Sequence, residues 1–309
     1  MKYVFIVNPK SGKKEASGYV IPLIEAYFKG KNLDYEIKIT QYAKHATQLA
    51  REAASENEQV RICSCGGDGT LSEVAAGLVG FDNAEFACFP CGSGNDYIKY
   101  FGTANDFSNI EQVVLGKSKV VDILRINDTY CLNLLSVGID ADVASYIPRI
   151  RRMPLVNGPM AYNAALVYCL LKKIGKHLTV RVDEAEMSGK FMLAAVGNGR
   201  VYGGGFYATP EAILDDGLLD VVAVNKISRF RIAKVVSKYK NGEHLKNGEA
   251  IDELKDCLTF FRGKKAEIVS DKEFALNIDG EMSATNHINI EIIPAALKFI
   301  IPLTAKITV

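Results

Sequence analysis

Several absences narrow the reading of this 309-residue sequence. Net charge is almost missing. The 37 Lys and Arg against 36 Asp and Glu leave +1 at neutral pH, so no global attraction to nucleic acid is available. No apolar run reaches the ~20 residues that a membrane-spanning helix needs. The N-terminus, MetLysTyrValPheIleValAsnPro, has an apolar stretch too short for a secretion signal and no cleavage site. It reads as a first strand, and a cytoplasmic location is expected. Histidine is scarce, with 4 in the chain, and paired CxxC spacing is missing. There is no internal repeat and no low-complexity linker.

What is present is ordinary for a soluble globular protein: 48% hydrophobic and 24% charged residues. The length suffices for two domains and a large core. The 7 cysteines, at 63, 65, 88, 91, 131, 169 and 257, lie mostly inside apolar segments. A zinc site from Cys65, Cys88 and Cys91 is conceivable, but no histidine lies nearby in sequence. Buried reduced thiols are the preferred reading.

The stretch CysGlyGlyAspGlyThr, 65–70, organises the first half. A strand-length apolar run (60–65) precedes it, and a helically spaced run (71–79) follows it. Gly66, Gly67 and Gly69 allow close backbone approach and unusual φ/ψ. A helix N-terminus beyond them offers N–H groups to an anion, ideally phosphate. Asp68 would repel bare phosphate, so it suits a site in which a divalent cation or a positioned water intervenes. A second reading needs no ligand: Thr70-x-x-Glu73 has capping-box spacing.

Other loops repeat the arrangement. A strand at 3–7 is followed by AsnProLysSerGlyLysLys (8–14) and an amphipathic helix over about 17–29. The loop suits phosphate or a solvated turn; it lacks the spacing of a Walker A loop. A strand at 33–40 ends at Thr40, and a helix is predicted over 44–56. A strand at 85–90 leads into CysGlySerGlyAsnAspTyr (91–97). Alternating strands and helices predict a parallel Rossmann-like α/β sheet, with ligand at the carboxyl ends of the strands. Three polar glycine-containing loops at three strand ends favour a nucleotide site.

The pattern changes near residue 120. Segments 120–126 and 129–138 read as paired strands with AsnAsp at 127–128 in the turn. A helix is expected over about 159–173, then strands at 178–183, 190–197, 218–224, 257–261, 265–269, 273–279 and 287–293. This half predicts an antiparallel β-sandwich or barrel-like domain. The expected division is 1–123 and 124–295, with a return of 296–309 to the first domain left open. LeuAspAspGlyLeuLeuAsp (214–220) reads as a hairpin turn, or as a cation site combining one Asp carboxylate with turn carbonyls. In PheAlaLeuAsnIleAspGlyGlu (274–281), period-two alternation places Asn277, Asp279 and Glu281 on a polar face, with Gly280 able to re-aim Glu281. The basic stretch 226–246 has Ile232, Val235, Val236 and Tyr239 at helical spacing. It reads as an amphipathic helix packed on its own domain; contact with an anionic membrane is the alternative.

AsnProLysSerGly (8–12), GlyGlyAspGlyThr (66–70), ProCysGlySerGlyAsnAsp (90–96), LeuAspAspGlyLeu (214–218) and AspGlyGlu (279–281) together resemble the ordered motifs of the bacterial diacylglycerol kinase-like lipid kinases, relatives of the sphingosine kinases. GlyGlyAspGlyThr alone also occurs in NAD kinases and phosphofructokinase-like folds; the full set in this order is more specific. The resemblance covers essentially the whole chain. It implies a phosphofructokinase-like nucleotide domain, a β-sandwich domain, ATP and Mg²⁺ as cofactors, and phosphoryl transfer to a lipid hydroxyl.

Carried over residue by residue, the resemblance implies that Asn8, Ser11, Gly12 and Thr40 line the nucleotide cleft. Gly66, Gly67, Asp68, Gly69 and Thr70 do the same, with Glu73, Gly92, Ser93 and Asn95. It implies Mg²⁺ held by Asp216 and the backbone oxygens of Ile213 and Leu218. Asp68, Asp96 and Asp122 form a water-linked acidic network toward it, and Asp279 is counted in that acidic set. Glu281 is the implied general base, and Asp68 is the other residue assigned to catalysis. Ser93 stands where threonine is usual, Ser72 where asparagine is common, and MetSerAlaThr after Glu281 lacks the glycines often seen there. The expectation is a lipid kinase acting on diacylglycerol, in transient contact with the membrane; a homodimer is implied by the resemblance alone. The rivals are another acceptor (a sphingosine-like base, ceramide, phosphatidylglycerol or NAD) and a non-catalytic nucleotide- or lipid-binding module.

Overall fold

The computed structural model describes residues 1–12, 15–150, 164–165, 167–169 and 174–305. The chain forms two compact units. The first comprises Met1–Ile123, Leu214–Asp216 and Ile293–Val309; the second comprises Leu124–Ile213 and Gly217–Ile292.

In the first unit, β1 (Lys2–Val7), α1 (Ala16–Phe28), β2 (Tyr35–Ile39), α2 (His45–Glu56), β3 (Val60–Gly66), α3 (Asp68–Leu78) and β4 (Ala84–Pro90) alternate. Short helices α4 (Ala104–Phe107) and α5 (Ile110–Leu115) precede β5 (Lys117–Ile126). The strand order is β2–β1–β3–β4, all parallel, and the end of the last strand joins β4 in parallel at Phe299 opposite Phe86. Helices cover both faces, so the strands read as continuous apolar runs rather than alternating ones. Phe5, Val7, Cys63, Cys65, Ala87, Phe89 and Cys91 pack against Val20, Ile24 and Phe28 of α1 on one side. On α2 and α3, Leu49, Ala53, Leu71, Val74 and Leu78 are buried. The helices approach closely at Gly77, where a Cβ would lie 2.4 Å from Thr47 O.

The second unit is antiparallel. Its elements in chain order are β6 (Thr129–Cys131), β7 (Leu134–Gly138), α6 (Ile139–Ile150), β8 (Lys176–Val182), β9 (Ala185–Gly197), β10 (Leu219–Asn225) and α7 (Arg229–Asn241). Then come β11 (Leu245–Lys246), β12 (Glu249–Ala250), β13 (Leu258–Gly263), β14 (Lys265–Ile278) and β15 (Glu281–Ile301). Strands β7 and β8 each pair with both β9 and β14, which folds the sheet around one apolar core. Alternation is clear on β10: Leu219, Val221 and Ala223 enter that core, while Val222 and Val224 face a second one. The second core is closed by Ile232, Val235 and Tyr239 of α7.

Several strand boundaries differ from expectation. The run 129–138 is two strands, β6 and β7, because the backbone N–H groups of 132–134 are drawn out of any ladder by the Asp279 carboxylate. The segments 265–269 and 273–279 are one strand with an irregularity between Val269 and Phe274. The segment 287–293 falls on β15, which runs on to Ile301 and carries the chain from the second unit back to the first. Helix α6 was not foreseen. The helix expected over 159–173 lies mostly outside the described residues, as do Lys13 and Lys14 of the first loop.

His244, just after α7, is fully buried, and its Nε2 donates to Ala208 O at 3.0 Å. Burial lowers its pKa from 6.5 to about 4. As pH falls below 6.5 the unfolded chain takes the proton first, so stability is lost between 6.5 and about 4. We expect this residue to contribute a loss of about 2 kcal/mol between pH 7 and pH 5. Unfolding of the wild type and of His244→Gln at both pH values checks it. Equal losses in the two proteins would exclude this residue as the cause.

Candidate active site

The four parallel strands of the first unit end side by side, and each end carries a residue singled out in the sequence. The sheet ladder continues into the loops: Thr40 N donates to Val7 O at 2.9 Å, Asn8 N to Cys65 O at 3.0 Å, and Cys91 N to Gly66 O at 2.8 Å. Asn8 Nδ2 donates to the Thr70 hydroxyl at 3.0 Å, joining the first loop to α3. Ser11 N donates back to Asn8 O at 3.2 Å, and Gly12 takes a positive φ of 81° that closes the turn.

The glycines of the central loop owe their place to contact rather than to unusual dihedrals. None of Gly66, Gly67 and Gly69 has positive φ. A Cβ on Gly66 would sit 2.4 Å from Thr70 Oγ1. A Cβ on Gly92 would sit 2.6 Å from the Gly67 Cα, so two loops meet backbone to backbone. Gly69, by contrast, has open space where a side chain would start. It lies in the first turn of α3, whose N–H groups point out of the helix end. Asn95 adopts φ 46° and donates to Gly92 O at 2.8 Å; its Oδ1 is buried without a hydrogen-bond partner. Ser93 is exposed on the same loop. A glycine cradle and a helix N-terminus fit phosphate, and the orphan Asn95 oxygen would accept from a donor such as a nucleotide hydroxyl or amino group.

Asp68 has a bracing function that its sequence position did not reveal. Its Oδ1 accepts from Asp96 N at 2.5 Å and from Tyr97 N at 3.4 Å. A Cβ on Gly94 would lie 2.7 Å from its other oxygen, so the 92–97 loop is wrapped around this carboxylate. The capping-box reading of Thr70 and Glu73 fails. The N-cap is Gly67, and Thr70 is already inside the helix. Glu73 instead accepts from Lys44 N at 3.0 Å and Ala46 N at 3.1 Å, capping α2.

Asp122 is buried in β5. Its N–H donates to Leu214 O and its Oδ1 accepts from Ala295 N, both at 2.7 Å. It thereby ties the 214–216 segment and the returning chain to the first unit. Asp96 Oδ1 pairs with Lys99 Nζ at 2.6 Å. Asp216 follows Asp215, which pairs with Lys119. Asp216 belongs to the first unit, and Ile213 and Leu218 to the second. Gly217, between Asp216 and Leu218, has φ 70°, a left-handed conformation that glycine adopts at no steric cost. One carboxylate with backbone carbonyls is the donor chemistry that a hard cation accepts. Among the described residues no three His, Cys, Asp or Glu side chains converge as a metal cage. Cys65, Cys88 and Cys91 are buried free thiols whose pKa values burial pushes up, Cys91 to about 11. Cys65 and Cys91 face the core against α1, whereas Cys88, alternating with Phe89 on β4, faces the other side of the sheet, so the three thiols do not converge on one ion.

In the second unit the 274–281 stretch reverses direction instead of running straight. Asp279 (φ 47°) and Gly280 (φ 92°) form the two-residue turn between β14 and β15, with Ile278 opposite Glu281. Alternation therefore stops at Ile278. Asp279 Oδ2 accepts from Leu132 N at 2.7 Å, and Oδ1 accepts from Asn133 N at 3.1 Å and Leu134 N at 3.0 Å. This carboxylate fills a nest of successive N–H groups. Its charge and burial together push the Cys131 thiol pKa up, burial being the larger cause. Asn133, which the sequence reading passed over, extends the clamp. Its O accepts from Asn198 N and Gly199 N, and its Nδ2 donates to Val201 O at 2.7 Å. The Asn-Gly pair at 198–199 after an apolar run was the available signal. Glu281, exposed, is the first residue after the clamped turn.

A cavity of about 250 Å³ lies beside α6 in the second unit, lined by Asp142, Ser145, Tyr146, Ile174, Lys176 and Met192 among others. Lys176 pairs with Asp142 at 3.1 Å. An adjoining apolar pocket shares Ile139 and Met192 with it. In that pocket the Tyr202 hydroxyl donates to Asp140 at 2.6 Å, and burial raises the Asp140 pKa.

Comparison with known proteins supplies the class. Residues 2–126 match the family described as the diacylglycerol kinase catalytic domain, and 133–301 match the YegS C-terminal NAD kinase beta sandwich-like domain. A diacylglycerol kinase of Staphylococcus aureus is 29% identical over 293 residues, covering 93% of this chain and 89% of that protein. A YegS-like lipid kinase of Shewanella frigidimarina is 28% identical over 275 residues, covering 86% and 84%. The crystal structure of a diacylglycerol kinase from Bacillus anthracis has the same fold, with a TM-score of 0.71 at 21% identity, covering 98% and 97%. Fold and loops thus define a kinase with an α/β catalytic domain and a β-rich C-terminal domain. The chain belongs to the diacylglycerol kinase-like lipid kinase family, with the YegS type of C-terminal domain.

Two substitutions separate contact from space. Gly92→Ala should destabilise the protein by about 1–3 kcal/mol, because backbone is the obstacle. Gly69→Ala should leave stability unchanged or raise it, since helical backbone favours alanine over glycine and nothing obstructs a Cβ there, yet weaken ATP binding if the open space receives phosphate. Thermal unfolding and nucleotide titration of both variants check this; equal stability effects would refute the cradle. Asp279→Ala should cost about 3 kcal/mol, since it strips three N–H groups of a charged acceptor. Denaturant unfolding beside Asp279→Asn, which keeps one acceptor oxygen, reads the difference.

Proposed function

We propose that the protein transfers the γ-phosphoryl group of ATP, with Mg²⁺, to the hydroxyl of diacylglycerol, giving phosphatidic acid. The observation that carries the nucleotide half is the meeting of the strand-end loops, Asn8 on Thr70 and Gly67 against Gly92. Backbone N–H groups at the start of α3 and in the 8–12 and 91–95 loops would bind phosphate oxygens. The Asp68 carboxylate would keep the third loop in shape while they do so. Asp216 and the carbonyl oxygens of Ile213 and Leu218 would hold the cation, which neutralises charge on the transferred group when bound. Glu281 would take the proton of the acceptor hydroxyl, a poor nucleophile until deprotonated. The clamped Asp279–Gly280 turn limits the freedom of the residue beside it, which suits that task. The lipid half is supported by the family and by the apolar pocket of the second unit, where Ile139, Val143, Leu193, Val224, Val235 and Val236 line the wall. Diacylglycerol is the acceptor named for the Staphylococcus aureus relative; phosphatidylglycerol, ceramide and sphingosine-like bases are the competing acceptors.

The test is transfer of label from γ-labelled ATP to each acceptor in mixed micelles. Diacylglycerol should be the best acceptor. Glu281→Gln should bind ATP normally and lose about 10²–10⁴ of turnover. Near-normal turnover would remove Glu281 as the base, and preference for another lipid would replace the acceptor.

A further inference from the structure

The antiparallel register of β10 and β13 sets Arg262 directly opposite Asp220. The Asp220 side chain is 2% exposed, and the pair is bidentate: Arg262 Nε and Nη2 donate to its two oxygens at 2.6 and 2.9 Å. A carboxylate so buried needs a charged partner, and that need explains the pair on its own. It does not explain a third bond. Arg262 Nη2 also donates to Glu211 O at 2.9 Å. One guanidinium thus holds both ends of the 211–220 segment, the stretch that carries Ile213, Asp216 and Leu218.

The carbonyl oxygens at the start of that segment are engaged in turn. Glu211 O accepts from Arg262, Ala212 O accepts from Arg200 Nε at 2.8 Å, and Leu214 O accepts from Asp122 N at 2.7 Å. Ile213 O, between them, has no hydrogen-bond partner among the described residues. It is one of the two carbonyls assigned to the cation above. Arg200 is itself placed by the Asp279 clamp. It follows Gly199, whose N–H donates to Asn133 O, and Asn133 N donates to Asp279. The turn before Glu281 and the carbonyls before Ile213 therefore share one framework of hydrogen bonds within the second unit.

We propose that Arg262 and Arg200 are positioning residues for the divalent cation: by engaging Glu211 O and Ala212 O they fix the backbone so that Ile213 O is the carbonyl presented to the ion. Mg²⁺ is small and demands near-ideal octahedral geometry, so a carbonyl ligand must be held at a set angle. Groups that orient such ligands commonly govern metal affinity by about 10–100-fold. A guanidinium suits the task. Its planar fork donates to a carboxylate and to a carbonyl at once, a geometry that a lysine ammonium lacks. Asp220 balances the charge that Arg262 brings to the segment. The inference rests on the assignment of the cation to Ile213, Asp216 and Leu218.

The experiment is Mn²⁺ binding to the full chain without nucleotide, read from the electron paramagnetic resonance of the free ion and competed with Mg²⁺. Asp216→Ala marks which binding belongs to this segment. Arg262→Lys keeps a cation against Asp220 and loses the fork; it should weaken the Asp216-dependent binding about tenfold. Arg200→Met, which leaves the buried pair intact, should weaken it by a similar factor. Arg231→Lys alters another bidentate pair of the same unit, with Asp256, and should change it little. Amide hydrogen exchange without metal should speed over 209–218 in the Arg262 and Arg200 variants and not in Arg231→Lys. Should Arg262→Lys fail to fold, Arg200→Met decides by the same two readings. Wild-type Mn²⁺ affinity in the folded Arg262 and Arg200 variants, while Asp216→Ala loses the ion, would overturn the proposal and leave the cation assignment standing. An equal loss in Arg231→Lys would assign the effect to general loosening of the unit and overturn it too. Equal Mn²⁺ binding by wild type and Asp216→Ala would refute the cation assignment itself, and the proposal with it.

Discussion

The backbone contact between Gly67 and Gly92 is the constraint on which the first unit's site depends. Parallel pairing of β3 with β4 delivers two strand ends at one sheet spacing. Only residues without Cβ let the loops beyond them close to 2.6 Å from the missing atom. Once they meet, a single carboxylate, Asp68, can reach the N–H groups of Asp96 and Tyr97 and hold the third loop in a fixed curve. The free start of α3 then opens where Gly69 leaves room. Packing beneath is correspondingly tight: Gly77 against Thr47 and the buried cysteines on β3 and β4 leave the loops little freedom to relax.

The second unit uses a carboxylate in the same way. Asp279 sits in a turn that requires positive φ at both central residues, and its side chain satisfies the N–H groups of three consecutive residues. That one group explains why β6 and β7 separate, why the hairpin tip is held, and why Glu281 follows a fixed point. In both units an acid singled out in sequence organises backbone. A carboxylate accepting two or three N–H bonds is a strong local organiser, since each bond to a charged acceptor contributes about 1.5–3 kcal/mol.

Much of the fold was legible. The strands of the first unit, α1, α2 and the character of α7 follow from period and length, and the loop residues at the strand ends were visible as glycine-rich punctuation. What could not be read were the partners. Thr70 and Glu73 have capping-box spacing, but the helix starts two residues earlier and Glu73 serves α2. Asn277, Asp279 and Glu281 alternate perfectly, but an Asp-Gly pair is also a turn, and pairing with β15 decided for the turn. The basic residues of α7 look uniform in sequence; their acids, Glu253 and Asp256, come from a later segment.

The sequence by itself determined the element types, the change from alternating α/β to β near residue 120, the strand-end position of the glycine motifs and, through the ordered motif set, the family. Periodicity, turn residues and motif order are local properties, and local properties survive in one dimension. Tertiary structure alone decided which carboxylates brace backbone, which glycines are needed for contact rather than for φ, and that 214–216 and the chain after 293 belong with the first unit. Each of these depends on atoms brought together from distant parts of the chain, and no spacing within one segment encodes that distance.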